Sequence, residues 1–187
     1  MSLYPQLPYP NKYGVIYADC PWKYTNWRGK ENGAAKAHYN CLTLQQLEGL
    51  PVRDIAMPDC ALCLWCTAPK MNEGVKLVES WGFRYVTFLF TWVKTYKNGD
   101  PYCGLGFYTR SASEFCLLGI RGSMPVEDHS VRQVIVSQVE KHSQKPIIAA
   151  KRIRDLWPDV PRIELFARTR MPGWDCWGDE VHIGYTS

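Results

Sequence analysis

Apolar positions along the chain fall into short β-rich runs separated by stretches with helical spacing. The first run, Val15, Ile16, Tyr17 and Ala18, leads straight into Asp19-Cys20-Pro21-Trp22. Residues 43–50 read as a short helix, with Thr43 as N-cap and Gln46 three residues on as its capping-box partner. Residues 60–67 are almost continuously apolar, as suits a strand buried on both faces of a parallel sheet. Val75, Val78 and Trp81 carry helical spacing over residues 71–81, and Gly82 stops it. Further strands are predicted over 85–93 and 114–120, with a polar, Gly-containing loop over 94–113 between them. A helix follows over 147–157, with Pro146 at its start and Pro158 past its end, and a last strand over 162–168.

Strands alternating with helices predict an α/β protein whose sheet is parallel or mostly parallel, with crevices at the strand ends. No internal repeat or linker interrupts the pattern, so one domain over residues 1–187 is expected, with 1–12 as an extended, Pro- and Tyr-rich lead-in. In open α/β sheets ligands sit at the carboxyl ends of the strands. That places Asp19 where a flat, hydrogen-bonding substrate would lie, although an Asp capping a turn beside a packed Trp reads the same way locally.

Composition changes this picture in three respects. Aromatic residues make up 13% of the chain, which suits planar ligands as well as a core. The net charge of +4 permits a polyanionic partner without requiring one. The eight cysteines come without a basic, apolar N-terminal leader, so they are expected as reduced thiols of a cytoplasmic protein. No uncharged apolar run is long enough to span a membrane.

The candidate chemistry is concentrated in a few places. Residues 23–40 interleave Lys23, Arg28, Lys30 and Lys36 with Tyr24, Trp27, His38 and Tyr39, a mixture that suits a nucleic-acid backbone and its bases as well as a solvated loop. Cys60, Cys63 and Cys66 are expected as buried thiols. On a strand Cys60 and Cys63 point to opposite faces, and the four histidines show no ligand spacing. Lys145, just before a helix start, can seat a carboxylate or phosphate. Gly104-Leu-Gly106 lacks the third glycine of a dinucleotide loop and argues against an oxidoreductase. Near the C-terminus Glu164, Phe166, Arg168, Arg170, Asp179 and Glu180 are spaced closely enough to hold a nucleoside, the charged groups on ribose and an aromatic beside the base.

Taken in order, these segments resemble the N6-adenine methyltransferase family named after the seventy-kilodalton subunit of the mRNA adenosine methyltransferase, in its short prokaryotic and phage form. The resemblance rests on Tyr17-Ala-Asp19-x-Pro21-Trp22, Leu64-Trp65 with Thr67, and Trp81-Gly82-Phe83 leading to Trp92-Val93-Lys94. It continues through residues 106–110, Ser143-x-Lys145-Pro146, and 162–168 ending in Trp177-Gly178. It implies a Rossmann-like S-adenosylmethionine-dependent fold, with helices flanking a mostly parallel sheet and the motif order circularly permuted. By the same resemblance Asp19, Cys20, Pro21 and Trp22 would form the catalytic strap. Cys20 stands where the family usually has Pro, and Trp22 would stack on the flipped base. Asp19, Lys145, Glu164, Phe166, Arg168, Arg170, Asp179 and Glu180 would hold the cofactor, S-adenosylmethionine. Tyr39 and Arg110, with Trp22, are the expected substrate contacts. The expected partner is nucleic acid, DNA before RNA, for a monomer or homodimer. A catalytically silent partner subunit is the rival reading.

Overall fold

The computed structural model describes residues 6–7, 10–24, 41–106, 108–139, 144–178 and 181. Seven strands form one sheet: β1 (Tyr13–Ala18), β2 (Ala56–Cys66), β3 (Arg84–Thr95), β4 (Ser113–Arg121), β5 (Val134–Gln138), β6 (Arg162–Leu165) and β7 (Asp175–Trp177). Their order is β5-β3-β4-β2-β1-β6-β7. β4 runs antiparallel to both neighbours, and every other pairing is parallel.

The helices are α1 (Leu44–Glu48), α2 (Val52–Ile55), α3 (Met71–Ser80) and α4 (Ile147–Leu156). They take opposite faces because the strands alternate. Ile16, Ala18, Leu62, Leu64, Ile163 and Leu165 pack with Leu47 of α1, Val52 and Ile55 of α2, and Leu77 and Val78 of α3. Val15, Tyr17, Ala61, Cys63, Trp65, Phe90 and Trp92 pack with Ala149, Ala150, Ile153 and Leu156 of α4. The result is a three-layer α/β/α arrangement.

Several expectations shift by a few residues. α1 is capped as its sequence predicts: the Thr43 hydroxyl accepts from the Gln46 N–H, and the Gln46 side chain accepts from the Thr43 N–H. β2 starts earlier, at Ala56, and only one of its two neighbours is parallel. β6 ends at Leu165 rather than residue 168, because Phe166 takes a left-handed backbone (φ 60°) and turns the chain. β5 and β7 were not legible as strands.

The order of the sheet sets the site. From β1 the chain builds outward through β2 on one side, then returns to add β6 on the other side of β1. The carboxyl ends of β1 and β6 therefore flank a topological switch point, where open α/β sheets bind ligands.

Candidate functional site

Alternation along β1 puts Val15 and Tyr17 on the α4 face, and Asp19 follows them just past the strand end. Lys145, two residues before α4, reaches back across that face. Its ammonium donates to Asp19 Oδ2 at 2.7 Å and lies 3.2 Å from Glu114 Oε2. The other Glu114 oxygen, Oε1, pairs with Lys94 at the end of β3. Because β4 is antiparallel, Glu114 at its start lies level with the ends of the parallel strands. Four charged groups thus alternate in sign across the strand ends: Asp19, Lys145, Glu114 and Lys94.

Aromatic residues form the floor of this row. The Lys145 ammonium lies 5.8 Å from the Trp65 ring centroid and the Lys94 ammonium 4.9 Å from that of Trp92. The Trp65 indole N–H donates to the Tyr17 hydroxyl at 2.7 Å, and the Trp92 indole N–H to Ser137 Oγ at 2.9 Å. Ser137, Trp92, Gln138, Gln144, Lys145 and Ile147 line a cavity beside the start of α4. Among the described residues no side chain caps that helix start.

Burial and charge set the protonation states. Burial raises the Asp19 carboxyl above its ordinary range, against the pull of Lys145. Burial also opposes the charge on Glu114, but Lys145 and Lys94 together hold that carboxyl below the usual value. Lys145 is desolvated too, and Asp19 and Glu114 nevertheless keep its ammonium protonated to higher pH than usual. Glu164 sits opposite Tyr17 in the β1–β6 register. Burial first, then the Asp19 charge, pushes its carboxyl up to about 7.

The Asp19–Trp22 strap is tightly fixed. The Trp22 N–H donates to the Cys20 carbonyl at 2.9 Å, closing a turn over Pro21, and the Pro21 carbonyl accepts from the Leu42 N–H at 2.8 Å. The Cys20 side chain lies in the core layer under α1–α3, and burial keeps its thiol neutral well above the ordinary thiol range. Trp22, expected as a stacking platform, is only 5% exposed. Its indole packs in the same layer and points its N–H at the Trp65 carbonyl (3.4 Å). Phe166, expected beside the nucleoside base, is likewise turned inward, edge-on to Trp177 at 5.3 Å and 7% exposed. Its positive φ, costly for an aromatic residue, marks the end of β6 as a strained position.

Among the other expected residues, Glu164 joins Asp19 and Lys145 at the switch point. Arg168 follows the β6 turn, close enough for its charge to act on Asp19 and Glu164. Arg170 and Arg110 are exposed on loops. Tyr39, Asp179 and Glu180 lie outside the described residues, as do Trp27, His38 and Ser143. Cys60 and Cys66 fall in one core layer and Cys63 in the other, as alternation requires. Glu114, Lys94 and Tyr17 had drawn no functional reading. Their signal was a charged residue at the tip of an otherwise apolar strand, visible at Lys94 and at Glu114-Phe-Cys-Leu-Leu.

The fold and this row of partly buried charge at a switch point define a Rossmann-like α/β enzyme. The chain matches the MT-A70 family over residues 13–180. It is 36% identical to the Type II methyltransferase M.MunI of Mycoplasma sp, over 96% of this chain and 82% of that protein. It is 30% identical to the human N(6)-adenine-specific methyltransferase METTL4, over 97% of this chain but only 41% of that protein. It is 27% identical to the human N(6)-adenosine-methyltransferase catalytic subunit METTL3, over 91% of this chain and 28% of that protein. The chain belongs to the MT-A70 family of methyltransferases. Among the described residues no helix is long and apolar enough to cross a membrane.

Proposed function

We propose that the protein transfers the methyl group of S-adenosylmethionine to the N6 amine of adenine in DNA. The observation that carries this reading is the Asp19 carboxylate, half-withdrawn from water at the β1–β6 crevice with Oδ2 held by Lys145. Among the described residues no donor other than Lys145 is bonded to it, which leaves Oδ1 for a substrate N–H.

The exocyclic amine of adenine is a poor nucleophile because its lone pair is delocalised into the ring. Acceptors on both N–H groups localise that pair and aim it. Asp19 Oδ1 supplies one, and the Cys20 carbonyl supplies the other through the lone pair that its bond to the Trp22 N–H leaves unused. The second acceptor is a backbone atom, so a Cys serves where relatives carry Pro. The buried neutral thiol takes no part. Trp22 acts by locking the strap, and positioning of this kind supplies much of the rate. Burial already raises the proton affinity of Asp19, which suits the carboxylate to receive the proton that the amine sheds.

The donor set fits S-adenosylmethionine. Lys145 has three N–H donors, of which Asp19 and Glu114 take two, and the third together with the open α4 start suits a carboxylate. Asp19 suits the ammonium of the same head group. Glu164, with Arg168 and Arg170, suits the ribose, and Asp179 and Glu180 the adenosine. When bound, the cofactor supplies an electrophilic methyl on a sulfonium.

DNA is favoured over RNA because two relatives at 36% and 30% identity carry the names Type II methyltransferase and N(6)-adenine-specific methyltransferase. Five relatives named for adenosine or RNA stand at 27–29% identity. Reduced thiols and a nucleic-acid substrate agree with a cytoplasmic location. The test is incubation with methyl-tritiated S-adenosylmethionine and duplex DNA, single-stranded DNA or RNA, followed by digestion to nucleosides. Label in N6-methyldeoxyadenosine is expected. Label confined to N6-methyladenosine from RNA would overturn the substrate, and no label despite cofactor binding would favour the silent partner subunit.

A further inference from the structure

The segment between β3 and β4 springs from two residues of the charged row, Lys94 and Glu114, yet neither explains its shape. It is a built turn. The Tyr102 N–H donates to the Lys94 carbonyl at 3.0 Å, the Lys94 N–H to the Ala112 carbonyl at 2.8 Å, and the Gly104 N–H to the Ser111 carbonyl at 3.0 Å. The Tyr96 and Tyr102 rings lie 5.2 Å apart, and the Tyr96 hydroxyl accepts from the Cys103 N–H. At the tip the backbone passes too close to itself for side chains. A Cβ on Gly104 would lie 2.4 Å from the Ser111 carbonyl oxygen, and one on Gly106 1.9 Å from that of Thr109.

Among the described residues of this tip, two large apolar side chains stand in water. Leu105 is 90% exposed and Tyr108 fully so. Exposing them on glycine-dependent geometry costs free energy without a folding return. Tyr108 lies six positions before Glu114, so the tip stays within about 20 Å of the charged row. Lys97 and the exposed Arg110 lie on the same segment, placed for phosphates.

We infer that Leu105 and Tyr108 enter the gap that the target adenine leaves when it swings out of duplex DNA. The inference rests on the DNA reading above and deepens it. An adenine must leave the stack to reach Asp19, and an apolar wedge in its place offsets the lost stacking. A second copy of the chain is the weaker occupant. Two side chains on a convex tip bury far less than the roughly 1,200 Å² that a stable protein interface needs.

The test is single-turnover methylation by the Leu105→Ala, Tyr108→Ala double variant, with circular dichroism to verify folding. Three substrates share a site first located with the wild-type protein: the matched duplex, the same duplex with a mismatch opposite the target adenine, and the single strand. The expected result is a loss of about tenfold or more on the matched duplex, recovery on the mismatch, and change within about twofold on the single strand. Equal loss on all three, or none on the duplex, would overturn the wedge. So would a shift from dimer to monomer in sedimentation. A wild-type protein active on single strands alone would also overturn it while leaving the methyl-transfer reading intact. A wild-type protein inactive on every substrate would remove that reading itself.

Discussion

Lys145 is the residue on which the site's electrostatics turn. One ammonium serves two carboxylates in a partly desolvated row, and removing it leaves both without their shared partner. Lys145→Met should therefore cost about 2 kcal/mol of stability, read from the shift in urea midpoint, somewhat less than when one member of a fully buried ion pair is lost. It should also weaken S-adenosylmethionine binding by about tenfold or more in calorimetry. Glu164 makes a pH prediction of the opposite sense from an ordinary paired acid. Its folded value of about 7 lies above its ordinary 4.5, so between these values the folded state holds the proton that the unfolded chain has released. Stability from this group is complete at low pH and falls as pH rises through that window. Glu164→Gln should flatten the fall and leave the variant more stable at pH 8 by about 1 kcal/mol or more. Thermal unfolding of both proteins from pH 5 to 8 decides it.

At the scale of the element, α1 shows local sequence and structure in agreement. Its capping box satisfies two end groups of a helix too short to stand alone. Thr43→Ala should cost about 1 kcal/mol in denaturant unfolding, read from the shift in urea midpoint. The elements readable from sequence were those with a strong period or a strong punctuation: β1 before Asp19, α3 before Gly82, α4 between Pro146 and Pro158. β5 escaped because it is an edge strand, with Val134 and Val136 exposed and only Ile135 fully buried. β7 spans three residues and exists because β6 gives it a partner. Trp22 and Phe166 were read as contacts to a base, with core packing as the alternative, because an aromatic beside a strand end looks the same whether it faces ligand or core. Only tertiary packing showed that both turn inward.

For the whole molecule, the order of the strands brings together residues from opposite ends of the sequence. β1 leads into Asp19 and β6 carries Glu164, and the sheet sets the two strands side by side. That convergence was legible in outline, through Asp19, Lys145 and Glu164. The Glu114–Lys94 half of the row was not, because it depends on β4 running antiparallel in an otherwise parallel sheet, and nothing local specifies that. The central claim is that the Asp19 carboxylate aims the adenine amine. The direct measurement is the single-turnover rate of methyl transfer to DNA by Asp19→Asn and wild type, with S-adenosylmethionine affinity measured in parallel. The account predicts a rate loss of about 10²-fold or more with cofactor affinity changed by no more than about tenfold. A variant transferring methyl groups within about threefold of the wild-type rate would contradict it.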